Sequence, residues 1–182
     1  MAARKPRKRD PEARRGLILD AARELIAEVG TERASHRAIA KRAGVPLGST
    51  TQYFPTRGDL VAAALARTTD DWRRELASWQ AALEESEAIP ATLAALLCEY
   101  LANQDLTRIE TELYLAASRD PALLPLAHQW LDGLAAVLAP WADAESAAAV
   151  AAFIDGATLQ AVVTGIRPSA EFLELAITRL LP

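Results

Sequence analysis

Apolar side chains recur along this chain at the spacing of helix faces, with no short alternating runs of the kind that make strands. Ile18, Ala21, Ala22, Leu25, Ile26 and Val29 share one face of a first helix. Asp10-Pro11-Glu12 opens it with an N-cap acceptor, a proline at the first helical position and an acid near the positive helix end. Gly30 closes it. A short second helix is predicted from the N-cap Ser35 through Ile39 and Ala40 to Ala43, followed by a tight turn at Gly44-Val45. A third covers roughly Leu47–Tyr53, with Phe54 as an apolar plug, before Pro55-Thr56 breaks the chain. A long helix then begins near Arg57, carries Leu60, Ala64, Leu65, Trp72, Leu76 and Trp79, and fades in the acidic stretch 84–87. Five further helices are predicted at about 90–103, 106–117, 123–138, 145–164 and 170–181, bounded by Asp120-Pro121, Pro140, Gly165 and Pro168.

Composition agrees with an all-α reading. The chain has 182 residues, 51% hydrophobic and 24% charged, and is rich in the strong helix formers alanine and leucine. Its one cysteine, Cys98, allows no intrachain disulfide and reads as a buried, inert thiol. The basic N-terminus has no apolar stretch after it, so it is not a signal peptide. The most apolar segment, 147–164, is interrupted by Asp155 and Gln160 and reads as a buried helix, not a membrane span. A cytoplasmic protein with no membrane partner is expected.

Charge changes the picture more. The net charge of −4 argues by itself against a nucleic-acid partner, yet it hides an asymmetry. Residues 1–60 hold 13 Lys/Arg and 7 Asp/Glu, whereas residues 61–182 hold 7 and 17. A basic front on an acidic body is what a DNA-binding head on a non-binding domain requires, although a solvated charge run at one end gives the same balance. Residues 1–9, with Arg4, Lys5, Arg7, Lys8 and Arg9, have no large apolar anchor and are expected to be a disordered basic arm.

The most informative stretch is 35–60. Two short helices joined by a glycine-containing turn, after a longer amphipathic helix, form a tri-helical helix-turn-helix unit. Ile39, Ala40, Ala43, Val45 and Phe54 face inward, and the third helix keeps a small, polar outer surface of Gly48, Ser49, Thr50, Thr51 and Gln52. Small residues let a helix enter a major groove about 12 Å wide, and Ser, Thr and Gln can hydrogen-bond base edges or phosphates. Residues 10–60 resemble the DNA-binding domain of the tetracycline-repressor (TetR) family. The resemblance lies in the helix ending at Gly30, the run Ile39-Ala40-Lys41-Arg42-Ala43-Gly44-Val45, and then Gly48, Phe54-Pro55, Arg57 and Leu60. The chain departs from the family pattern at Thr51, where tyrosine is common, and at Tyr53, where histidine is common. By position, the resemblance implies that Ser35 and Arg37 approach phosphate and that Leu47, Ser49, Thr50 and Gln52 face the groove. It also implies that Tyr53 and Arg57 clamp the flanking backbone, with the basic arm following phosphates or entering a minor groove.

The family resemblance further implies three regions: the arm at 1–9, the helix-turn-helix domain at 10–56, and a helical effector-binding and dimerising domain at 57–182. Trp72, Trp79, Tyr100, Tyr114 and Trp130 either fill the core of that domain or line an effector cavity. Asn103, Glu110 and Glu112 are polar candidates for the same cavity, in the middle helices that surround the ligand in the family, and read more readily as exposed helix residues. The last two helices are small and apolar around much of their circumference. Ala151, Ile154, Thr158, Ala161, Phe172, Leu175 and Ile177 are expected at a four-helix homodimer interface, with a purely intrachain core as the competing reading. His36 reads as a partly exposed packing residue, and two histidines with one cysteine make no metal site. No nucleophile–base constellation is visible, so no enzyme and no cofactor are expected. The sequence therefore points to a regulator, in the family's usual sense a repressor, that leaves a palindromic DNA operator when a small-molecule effector binds. An effector-independent architectural DNA-binding protein is the alternative.

Overall fold

The computed structural model describes residues 10–182, so the basic arm expected at 1–9 lies outside the described residues. The described residues form helices and short 3-10 turns, with no strand. The helices are α1 (Pro11–Val29), α2 (His36–Ala43), α3 (Leu47–Tyr53), α4 (Arg57–Glu84), α5 (Ile89–Ala102), α6 (Gln104–Ala117), α7 (Leu124–Leu138), α8 (Ala144–Thr164) and α9 (Ala170–Leu180). The chain divides into two compact units with the boundary between Ala64 and Leu65, inside α4. The first two turns of α4 thus belong to the head, where Leu60, Val61 and Ala64 are buried.

In the head, side-chain caps set the starts of α1, α2 and α4, while α3 follows Pro46 with no side-chain cap. Asp10 accepts from the backbone amides of Glu12 at 3.1 Å and Ala13 at 3.3 Å. The Ser35 hydroxyl accepts from the Ala38 amide at 3.2 Å. Thr56 and Asp59 cap α4 reciprocally: the Thr56 amide donates to the Asp59 carboxylate at 2.9 Å, and the Asp59 amide donates to the Thr56 hydroxyl at 3.1 Å. Each such cap contributes about 1 kcal/mol, which matters for a helix as short as α2. Between those two, Gly44 sits at φ +64°, a left-handed conformation that any side chain would strain. Ile18, Ala22, Ile26, Ile39, Ala40 and Phe54 fill the space between α1, α2 and α3. Arg42 ties α2 to α1 through a bidentate pair with Glu28 at 2.5 Å.

The body packs α5 on α9, α7 on α8, and α6 against both α7 and α8. Gly133 of α7 marks a close crossing, since a Cβ there would stand 2.7 Å from Leu76 of α4. Helix α8 is long and apolar enough, by length and composition, to cross a membrane. In this fold its Ala147, Val150, Ala151, Ile154, Ala157 and Ala161 are buried against neighbouring helices of the same chain.

That packing corrects part of the interface expectation. Ala151, Ile154, Thr158, Ala161 and Ile177 are interior residues of the single chain, because α8 and α9 turn those positions toward α5, α6 and α7. Phe172 and Leu175 do lie at the surface, 54% and 51% exposed. Leu159, Val163 and Ile166 are exposed as well.

Candidate DNA-binding face and ligand groove

The head presents α2 and α3 with a mixed set of side chains outward. Ser35, Arg37, Lys41, Leu47, Gly48, Thr51 and Gln52 are exposed, and Tyr53 is half-buried with its ring beside Phe54. A Cβ added at Gly48 would meet no protein atom within 4 Å, so nothing in the fold demands glycine there. Two residues expected to face a groove point inward instead. Thr50 is fully buried and its hydroxyl donates to the Leu47 carbonyl at 2.8 Å, while Ser49 is 8% exposed. A seven-residue helix has one inner face, and Ser49 and Thr50 occupy it. Arg57 is exposed, but its guanidinium already holds the loop after α1, donating to the Thr31 carbonyl at 2.7 Å with Glu32 3.8 Å away. His36 is half-buried, in keeping with a packing role.

In the body, the aromatic residues form a buried cluster. Trp72 stacks on Trp130 with ring centroids 4.4 Å apart and lies 5.1 Å from Tyr100, and Trp79 meets both Trp72 and Tyr100 edge-on. Trp72, Tyr100 and Trp130 border a cavity of only about 60 Å³, room for little more than water. Trp79 is core, with its indole donating to Glu75. Asn103 is exposed and caps α6 by accepting from the Leu106 amide. These four tryptophan and tyrosine positions, and Asn103, therefore build the domain's interior and a helix start, not the wall of a large cavity.

A larger space lies elsewhere in the body. Helices α6, α7 and α8 enclose an apolar groove of about 650 Å³, within the size range of small-molecule sites. Its walls include Leu115, Leu131, Leu159 and Gly156, and its polar groups are Glu110, Thr111, Tyr114, Ser118, Asp155 and Thr158. Tyr114 is the one expected pocket residue on this wall. Glu110 is 3% exposed, contrary to the exposed position expected of it. Thr158, expected at an interface, is 2% exposed and its hydroxyl has no hydrogen-bond partner.

Glu110 and Asp155 define the electrostatics. The Tyr100 hydroxyl donates to Glu110, and the Tyr114 hydroxyl donates to Asp155 at 3.2 Å. Burial pushes the Glu110 carboxyl up to about 8, the Asp155 charge adding to the shift and hydrogen bonds from Tyr100 and Trp130 opposing it. Burial likewise lifts Asp155 to about 6, against hydrogen bonds from Tyr114 and Glu110. Both tyrosine hydroxyls are raised, chiefly by burial and then by the neighbouring carboxyls, and stay protonated donors. The two carboxyls titrate as a coupled pair, and burial favours a shared proton near neutral pH.

Two signals in the sequence bear on this site. Asp155 is an acid inside the most apolar segment of the chain, and Glu110 lies between the helix-face positions Thr107 and Leu113. Neither signal says that the two carboxyls meet, because that depends on the packing of α6 on α8.

Comparison with known proteins follows the same division. Residues 18–64 match the model of bacterial regulatory proteins of the tetR family, and residues 84–182 match the tetracyclin repressor-like C-terminal domain. A TetR-family structure from Streptomyces coelicolor A3 is 40% identical, covering 93% of this chain and 98% of its own, with a TM-score of 0.84. The multidrug binding protein EbrR, solved in complex with ethidium, is 39% identical over 93% of this chain and 99% of its own, at a TM-score of 0.81. An uncharacterized HTH-type transcriptional regulator of Mycobacterium tuberculosis is 36% identical over 111 residues, 58% of this chain and 54% of that protein. The chain thus spans about half the length of that curated relative. With both halves matched and the helix-turn-helix in place, the chain belongs to the TetR family of DNA-binding transcriptional regulators.

Proposed function

We propose that this protein is a homodimeric repressor that occupies a palindromic operator and leaves it when a small organic molecule enters the groove between α6, α7 and α8. The observation that carries the proposal is the pairing, in one chain, of an exposed α2–α3 face with an apolar groove that contains a few convergent polar groups. Ser35, Arg37, Leu47, Gly48, Thr51, Gln52 and Tyr53 form the contact face, with Arg37 and Lys41 toward phosphate and the short side chains of α3 toward base edges. The basic arm adds sequence-independent phosphate contacts. A partner subunit covers the exposed apolar strip of Val163, Ile166, Phe172 and Leu175 and sets the two heads about one helical turn, roughly 34–36 Å, apart. EbrR, which resembles this chain over nearly its whole length, has also been seen with proflavin and malachite green, which supports a small aromatic molecule as effector here.

The mechanism is a population shift. A ligand that binds the groove more tightly in a conformation whose heads no longer fit the half-site spacing lowers operator affinity by that difference. The groove weighs against the effector-independent architectural reading, which needs no such space. The test is a sensor surface carrying the operator duplex, loaded with protein and washed with a panel of small lipophilic compounds. Accelerated release by some members is expected. Retention against the whole panel would favour the architectural reading.

A further inference from the structure

We propose that the groove is charge-selective: it takes a lipophilic organic cation, with the Asp155 carboxylate as counter-ion and Glu110 as the neighbouring carboxyl that holds Asp155 in place. The inference rests on the reading of the groove as the effector site and adds the chemical class of the effector.

Three observations on different atoms lead to it. First, two carboxyl groups, from α6 and α8, lie on the wall of an otherwise apolar groove, and none of the residues lining it is basic. A carboxylate held away from water without a cationic partner is destabilised, and a bound cation removes that penalty. Second, a tyrosine hydroxyl donates to each carboxyl, Tyr100 to Glu110 and Tyr114 to Asp155, which fixes both groups beside the groove, and burial raises both above the ordinary carboxylate range. A bound cation neutralises the charge the pair carries, whereas a neutral ligand leaves it uncompensated. Third, the Thr158 hydroxyl is buried on the same wall, one helical turn from Asp155, with no hydrogen-bond partner among the described residues. An unsatisfied buried hydroxyl is destabilising, and a polar group on an occupant of the groove would satisfy it.

The surroundings specify an organic ion over a hydrated metal. Among the described residues no three metal-ligating side chains come together. The leucine walls favour apolar surface, and the Tyr114 ring borders the same space, placed for contact with a delocalised cation. The titratable groups that face Asp155 are Glu110 and Tyr114 of α6, with Tyr100 of α5 reaching it through Glu110. Of these, only the carboxyls titrate between pH 5 and 9. Cation affinity should therefore rise as pH increases through about 6, and rise again toward 8 as Glu110 loses its proton.

The experiment is calorimetric titration of the full-length protein with two probes of similar shape, the methyltriphenylphosphonium cation and neutral triphenylphosphine oxide. Both are also titrated against Asp155→Asn and Glu110→Gln. The wild type should prefer the cation by at least about tenfold, the scale of one charged hydrogen-bonded contact. Asp155→Asn should abolish the preference while leaving affinity for the neutral probe in place, which also shows that the variant folds. Glu110→Gln mimics the protonated acid and should keep the preference but lose the rise toward pH 8. Equal binding of the two probes by the wild type, or an unchanged preference in Asp155→Asn, would overturn the charge assignment alone. Binding of neither probe would contradict the effector-site reading beneath it.

Discussion

The head and the body place their candidate functional residues in opposite environments. On the head, Arg37, Gly48, Thr51 and Gln52 stand on the surface, while the fold of α1–α3 is held by other residues: the caps at Asp10 and Ser35, the turn at Gly44 and the apolar set around Ile39. In the body, Glu110 and Thr158 are buried and Asp155 is half-buried beside them, and both carboxyls are bonded to tyrosines of the helix packing. Function and stability are therefore separable in the head and coupled in the body. If the proposed sites hold, substitutions on the α2–α3 face change binding at little cost in stability, whereas substitutions in the groove also disturb the packing around Glu110.

The largest effects that would break this comparison lie in the body. Glu110→Ala leaves the Tyr100 hydroxyl without its acceptor and opens space beside Trp130, and should cost about 3 kcal/mol in a denaturant unfolding series. Glu110→Gln, which preserves the shape, should cost far less. A smaller loss by Ala than by Gln would show that Glu110 is not structurally coupled.

The pH dependence of stability comes next. Glu110 and Asp155 both bind protons more tightly in the folded chain than in the unfolded one, with ordinary values of 4.5 and 3.8. Their contribution is thus full at acid pH and is lost as pH rises from about 4 through 6 to about 8. Thermal melts across that window should show wild-type stability declining relative to Glu110→Gln, by on the order of 3 kcal/mol at the alkaline end. Parallel profiles for the two proteins would contradict the buried pair.

In the head the same kind of change should leave stability alone. Arg37→Ala should weaken operator binding about tenfold in fluorescence anisotropy, with the melting temperature unchanged. Gly48→Ala should split the two properties in opposite directions. Alanine is the better helix former by about 0.5–1 kcal/mol and meets no protein atom here, so the melt should rise. Operator affinity should fall because the added methyl stands on the face that approaches DNA. A rise in both would move Gly48 off the contact face.

Sequence patterning reveals the two regions unequally. Every described helix is legible within a few residues, because caps, prolines and glycines mark the ends: Ser35 before α2, Pro55-Thr56 before α4, Gly165 after α8. The helix-turn-helix is legible as a unit for the same reason, since its signals are local. Which residues of α3 turn inward is not, as Ser49 and Thr50 show: small polar side chains fit either face of a seven-residue helix. The groove is less legible still. Tryptophans at helical spacing look like cavity walls but stack on one another, while Glu110 looks like a surface residue and is buried. The meeting of Glu110 and Asp155 joins positions 45 residues apart through helix packing, for which no local pattern exists. The same holds for the last two helices, where apolar periodicity identifies buried faces without saying whether the covering surface is the chain's own.

The central claim is that the α2–α3 face reads a specific DNA sequence. Its most direct test is to capture genomic fragments on the purified full-length protein at two salt concentrations and sequence what is retained. Enrichment of one palindromic site, with affinity falling steeply as salt rises, is the predicted result. Weak retention without sequence preference at both concentrations would contradict it.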